Sequence, residues 1–152
     1  MTTATQDPSG FDGAKVALFL GRRLLLIQRN DRPDIPWPGQ WDFPGGRREG
    51  AETPFQTVQR ETREEVGLTL TPADVIWQHR SLRGDGAIVW FFVARLPAGS
   101  CVTFGDEGQG WQLTDTTTAL HMTDLIGTLQ QRLALWIAGQ AACDPAYAGL
   151  SN

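Results

Sequence analysis

The stretch from Thr53 to Gly67 constrains this chain most, because both ends of a helix are marked in it independently. Thr53 is a good N-cap, Pro54 suits the first helical position, and Gln56 completes a Thr-x-x-Gln capping box. Gly67 stands where a left-handed C-terminal cap belongs. These signals define a helix over Pro54–Val66. At roughly 100° per residue, Phe55, Val58, Thr62 and Val66 fall on one stripe that needs a core. Glu61, Glu64 and Glu65 fall on a neighbouring stripe, since positions i, i+3 and i+4 share a helix face.

Glutamate is concentrated on and beside this helix, whereas aspartate is scattered along the chain. Of six glutamates, five lie between Glu49 and Glu65, and the sixth is Glu107. Side-by-side carboxylates repel one another by about a few tenths of a kcal/mol per exposed pair. Arg60 and Arg63 offset part of that cost, and no lysine is interleaved; the only lysine is Lys15. Hard divalent cations suit such a stripe, because Mg²⁺ and Mn²⁺ prefer oxygen ligands and are often held by a few carboxylates, water and substrate phosphate. A bare Glu-x-x-Glu-Glu is more often a solvated acidic face, so the residues upstream carry weight.

The bulk properties narrow the class. A chain of 152 residues with 41% apolar and 20% charged residues fits one compact domain able to bury a sizeable core. Residues 13–139 are expected to form it, between a flexible start at 1–12 and a tail at 140–152. Cys101 and Cys143 stand far apart, which argues against a zinc ribbon or disulfide framework. Free thiols in a reducing cytoplasm are expected. No apolar run is long enough to cross a membrane, and Met1–Asp12 lacks a signal-peptide pattern. With a net charge of −4 and no basic stripe, long nucleic acid is disfavoured as a partner. A small anion remains open if a metal or an arginine cluster receives it. Whether the protein is a monomer or a homodimer is left open.

Lys15–Leu20 and Arg23–Gln28 read as strands joined at Gly21-Arg22, and residues 30–40, with three prolines, read as an exposed loop. Trp41–Phe43 reads as a short strand stopped by Pro44-Gly45-Gly46. Further strands are expected at Asp74–Arg83, Ala87–Leu96, Cys101–Phe104 and Gly110–Leu113. A second helix is expected over Thr123–Ala138, capped by Gly139. The order suggests an α+β fold, an α/β/α sandwich with a mixed sheet. Trp77, Trp90 and Trp136 are assigned to the core, and His79 and His121 are read as structural.

From Gly46 to Leu68 the sequence is GRREGAETPFQTVQRETREEVGL. It resembles the Nudix box, G-x5-E-x7-R-E-U-x-E-E-x-G-U, where U is a bulky apolar residue. Gly46, Glu52, Arg60, Glu61, Glu64, Glu65, Gly67 and Leu68 fall on its fixed positions; Thr62 departs from it where an aliphatic residue is commonest. The resemblance implies a mixed sheet between helices, Mg²⁺ or Mn²⁺ as cofactor, and hydrolysis of a diphosphate linkage in a small nucleotide. It implies that Glu61, Glu64 and Glu65 bind the metal, that Arg60 orients them, and that Glu52 steadies the loop or reaches a metal through water. Gly45 and Gly46 would allow a tight turn, with the Gly45 carbonyl as a further metal ligand, and Gly67 would end the helix.

Water would attack phosphorus in line, with Glu64, Glu65 or Glu107 as general base. Glu107 lies in the glycine-rich loop Gly105–Gly110, where MutT-like relatives often place an extra metal-binding glutamate. Arg29 and Arg47 are candidates for phosphate recognition through their fork geometry, with Arg48 a further one. Trp37 is a candidate for stacking a base, Trp41 less so. The box does not select a substrate. A tyrosine that dinucleoside polyphosphate enzymes carry downstream is absent, since the only tyrosine is Tyr147. The proline often found in ADP-ribose enzymes is absent between Pro72 and Pro97. A coenzyme A pattern is met at Leu25-Leu26, Arg29 and Gly39, but its second arginine falls at Ile35. By elimination the chain resembles the MutT-like enzymes that convert a nucleoside triphosphate, possible examples including 8-oxo-dGTP, to monophosphate and pyrophosphate. The alternatives are another nucleoside diphosphate derivative or a non-catalytic nucleotide sensor.

Overall fold

Strands buried on both faces need cover on both faces, and this sets the architecture. The computed structural model describes residues 10–143. In chain order they form β1 (Gly13–Leu20), β2 (Arg23–Gln28), β3 (Trp41–Asp42), β4 (Gly45–Arg47), α1 (Pro54–Val66), a 3₁₀ turn (Pro72–Asp74), β5 (Val75–Leu82), β6 (Ile88–Leu96), β7 (Gly110–Thr114), α2 (Thr116–His121) and α3 (Gly127–Cys143). The sheet runs β3-β2-β1-β6-β5, with β4 on β1 and β7 on β2. Among the described strands only the β1–β6 pair is parallel, so the sheet is mixed.

The period of two in each strand sorts side chains into two cores. Ala17, Phe19, Leu24, Leu26, Phe91 and Val93 pack with Leu129, Leu133 and Trp136 of α3. Val16, Leu18, Leu25, Ile27, Phe92 and Ala94 pack with Val58 and Val66 of α1 and with Leu68 and Leu70. The α/β/α sandwich expected from the element order is therefore present, with α1 on one face and α2 and α3 on the other. Trp136 is buried in the core, while Trp77 and Trp90 are partly buried against it.

One departure from a regular sheet builds the site. β1 pairs with β2 only at Phe19 and Leu20. Further along, β1 takes β4 at Gly13–Lys15 and β2 takes β3 at Ile27 and Gln28. The strands thus part, and the segment Trp41–Arg47 enters the gap. Gly45 is obligatory there: its φ is 136°, and a Cβ would collide with the Ala14 carbonyl oxygen.

The helix α1 has the predicted bounds. Thr53 Oγ1 accepts from Gln56 N–H at 3.1 Å, Gln56 Oε1 accepts from Thr53 N–H at 2.9 Å, and Gly67, at φ 70°, donates to the Arg63 carbonyl at 3.0 Å. Other expectations need correction. Cys101–Phe104 is not a strand: Thr103 N–H donates to the Val66 carbonyl and Gly105 N–H to the Glu65 carbonyl, each at 2.9 Å, so the segment satisfies the open end of α1. The second long helix starts at Gly127, not Thr123, because Trp41 N–H bonds to the Asp124 carbonyl and Ile126 N–H to the Trp41 carbonyl. Gly139 lies inside that helix, which runs on to Cys143 into the expected tail; residues 144–152 lie outside the described residues. Of the start expected to be flexible, residues 1–9 also lie outside them, but Phe11 is buried beneath the Arg48 guanidinium.

Candidate active site

Arg60 sits next to Glu61 and one helical turn before Glu64, and it gathers both. Its Nε donates to Glu52 Oε2 at 2.6 Å and its Nη2 to the Arg47 carbonyl at 3.0 Å. Its Nη1 lies 3.3 Å from both Glu61 Oε2 and Glu64 Oε1 and 3.4 Å from Glu49 Oε2. Glu52 completes the loop by accepting from Glu49 N–H at 2.9 Å and Thr57 Oγ1 at 3.0 Å. The Arg60 hydrogen bond is the main reason that the Glu52 carboxyl is held down at about 2, against the opposing effect of burial.

Glu65 lies deepest of the stripe. Burial pushes its carboxyl up to about 8, although Lys15 and the Gly45 N–H, which donates to Oε1 at 2.9 Å, both favour the charged form. Burial also raises Glu61, against the pull of Arg60. Gly46 backs onto Glu61 so closely that a Cβ would stand 2.5 Å from Oε2. Below them Lys15 Nζ reaches Asp42 Oδ2 at 3.0 Å, the Gly45 carbonyl at 3.2 Å and the Phe43 carbonyl at 3.3 Å, so its three N–H groups have three acceptors. Asp42, only 5% exposed, also accepts from Arg29 Nη1 at 3.1 Å and from Phe43 N–H at 2.7 Å.

Three adjoining hollows run across these residues. An acidic one is lined by Glu61, Glu64, Glu65, Asp106 and Glu107. A second shares Glu65 and Glu107 with it and adds Arg29, Arg32 and Asp42. The third, about 330 Å³, shares Arg29 and Asp42 with the second and adds Lys15, Trp37, Gly46, Arg47 and the apolar wall Val89, Trp90, Ile126 and Leu129. Glu107 therefore joins the three helix glutamates in space, carried there by the segment that docks on the carboxyl end of α1. Gly105 is required for that approach, because a Cβ would come within 2.5 Å of the Glu64 carbonyl oxygen.

The donor set suits a hard divalent cation: oxygen only, five carboxylates, and one of them, Glu65, buried without full compensation. Among the described residues, no three histidine, cysteine, aspartate or glutamate side chains are drawn into a finished coordination sphere. Arg60 Nη1 bridges one oxygen each of Glu61 and Glu64, and the Gly45 N–H engages one of Glu65.

The remaining expected site residues are distributed as follows. Arg29, which also donates to the Pro36 carbonyl at 2.8 Å, and Arg47 line the large cavity. Trp37 stands on its rim, 48% exposed and at φ 53°, a left-handed conformation that costs a non-glycine residue roughly 1 kcal/mol or more. Trp41 packs on the core instead. Gly67 caps α1 and Leu68 is buried under it. His79 stacks on Trp77, with ring centroids 5.3 Å apart, and His121 Nδ1 lies 2.8 Å from the Thr117 carbonyl, so neither meets the site. Sequence reasoning missed Asp42 and Lys15 as site residues. The signal was the only lysine of the chain, two positions into a strand whose neighbours are apolar. It also missed Arg83 and Arg132, which reach the cavity from elements far from the box.

A family model described as the NUDIX domain matches residues 12–123. An octanoyltransferase from Myxococcus xanthus is 31% identical over 115 residues, covering 70% of this chain and 31% of that protein. The human 8-oxo-dGDP phosphatase NUDT18 is 33% identical over 120 residues, covering 73% of this chain and 35% of that protein. The chain spans about a third of the length of these curated relatives. Among solved structures, a MutT protein from Methanosarcina mazei superposes with a TM-score of 0.70 at 20% identity, over 86% of this chain and 94% of that one, a likeness of fold. No described helix is long and apolar enough to cross a membrane.

Proposed function

The chain belongs to the Nudix family, and we propose that it is a divalent-metal-dependent hydrolase of the MutT-like kind, converting a nucleoside triphosphate to a monophosphate and pyrophosphate. The observation that carries this reading is the continuity of the acidic hollow with a cavity large enough for a nucleoside, through a wall that bears Arg29. Glu61, Glu64, Glu65 and Glu107 are the residues that would hold Mg²⁺, or Mn²⁺ in its place. When bound, such an ion neutralises the diphosphate and activates water at neutral pH.

The chain's own groups supply the rest. Glu52 and the Arg47 carbonyl fix the Arg60 guanidinium, which keeps Glu61 and Glu64 pointing the same way. Glu65 is fastened to the Gly45 N–H and so suits a fixed ligand. Glu64 and Glu107 are exposed, and one of them takes the proton of the attacking water. Arg29 steadies a substrate phosphate, Arg47 lies beside it, and Trp37 stacks on the base. An oxidised purine such as 8-oxo-dGTP is the first candidate, in keeping with the human relative, whose name specifies the diphosphate. A cytoplasmic setting belongs to the same proposal and fits the exposed free thiol of Cys101.

The test is hydrolysis of a panel of nucleoside tri- and diphosphates, their 8-oxo forms, ADP-ribose and dinucleoside polyphosphates, with Mg²⁺ and then Mn²⁺ and products identified by mass. Release of pyrophosphate from a triphosphate is the expected result. Tight binding of one member with no hydrolysis of any would replace the enzyme by a nucleotide sensor.

A further inference from the structure

The large cavity carries more positive charge than the proposed cut uses. Its walls hold five cationic side chains, Lys15, Arg29, Arg47, Arg83 and Arg132, against two acids, Asp12 and Asp42, in a chain whose net charge is −4. The acids are already engaged. Asp42 is shared by Lys15 and Arg29 at 3.0 and 3.1 Å, and Asp12 pairs with Arg83 at 2.8 Å. Arg83 also holds Asp85, outside the cavity, at 2.9 Å. Arg47 and Arg132 have no carboxylate at ion-pair distance among the described residues.

Arg132 is the more telling of the two, because it is partly buried and burial lowers its pKa. A guanidinium removed from water without a counter-charge is unfavourable unless an anion joins it. It lies on α3 on the same face as Thr128 and Leu129, which also line the cavity. That helix contributes nothing to the acidic hollow. The charge at Arg132 is therefore separate from the place where the diphosphate is cut, and the apolar wall of Val89, Trp90, Ile126 and Leu129 lies in the same cavity.

We propose that this cavity binds a second anion of the substrate, a phosphate monoester on the sugar, with Arg132 and Arg47 as its donors. The preferred triphosphate then carries a phosphate on its sugar as well, which 8-oxo-dGTP does not. This rests on the reading that the cavity receives the nucleoside end.

Calorimetry separates the two ideas, since it reads binding without turnover. AMP and GMP would be titrated against adenosine and guanosine 3′,5′-bisphosphates and adenosine 2′,5′-bisphosphate, with and without Mg²⁺. At least one bisphosphate is expected to bind about tenfold tighter than its monophosphate, the worth of one charged hydrogen bond. Arg132→Gln should abolish that preference, and Arg47→Gln, at an exposed position where folding is not at risk, should reduce it. Arg95→Gln, outside the cavity, should leave it intact. Equal affinities in the wild type, no binding of any of these nucleotides, or a preference that survives both substitutions would overturn the proposal. Absence of hydrolysis alone would overturn only the enzymatic reading.

Discussion

Arg60 is the residue on which the arrangement of carboxylates turns, since it touches Glu49, Glu52, Glu61 and Glu64 at once. Arg60→Met is expected to destabilise the fold by roughly 2 kcal/mol, because it leaves the partly buried Glu52 without its charge partner. Urea denaturation measures this, and an unchanged midpoint would show that the cluster is held some other way. Glu65 gives a pH dependence of defined sign. Its folded-state pKa, about 8, exceeds the unfolded value, so between these limits the native state holds a proton that the unfolded chain has released. The metal-free protein should therefore lose stability as pH rises through that window, with the loss complete above 8. Glu61, raised in the same direction, adds to the fall, while Lys15, Asp42 and the Gly45 N–H face Glu65 in both states of its carboxyl. Glu65→Gln should flatten the decline between pH 5 and pH 8, and an equal decline in wild type and variant would remove Glu65 as its cause.

At the scale of elements, α1 packs one polar side chain into the core without satisfying it. Thr62 is fully buried and its hydroxyl has no hydrogen-bond partner among the described residues. Thr62→Val should stabilise the protein by about 1 kcal/mol, by removing the cost of an unsatisfied buried hydroxyl, and should leave activity intact. A lower midpoint in thermal denaturation would contradict it. This helix was legible to the residue because capping boxes and C-terminal glycines are local signals. β4 was not, because three residues, Gly45–Arg47, carry no periodicity, and their strand character exists only through pairing with Gly13–Lys15. The segment Cys101–Phe104 was misread for a related reason: β-branched and aromatic residues gave it strand character, yet its N–H groups serve the carboxyl end of α1. Leu125 and Ile126 fit a helical stripe, but the backbone beside Leu125 bonds to Trp41, so α3 starts after them. Glycines, caps and the glutamate spacing made the box readable. Lys15, Asp42, Arg83 and Arg132 depended on which distant strand or helix lies beside them, and a single sequence does not display that.

Across the whole molecule, the fold separates two chemistries and joins them at one wall. The carboxyl end of α1 and the loop that docks on it make the acidic hollow, and the parting of β1 from β2 makes room for the cavity beside it. Glu107 tests whether the docking serves function: Glu107→Gln should weaken divalent-metal affinity by about tenfold, the effect of losing one carboxylate interaction, without altering the melting temperature of the metal-free protein. An unchanged metal titration would leave the loop a structural cap alone. The central claim is that the glutamate stripe holds the cations with which a diphosphate is cut. Its most direct test is the binding of Mn²⁺ followed by electron paramagnetic resonance, in the wild type and in the Glu64→Gln, Glu65→Gln double variant. Saturable binding in the wild type that disappears in the double variant is the predicted result. No saturable binding in the wild type, or the same binding in both proteins, would contradict the account.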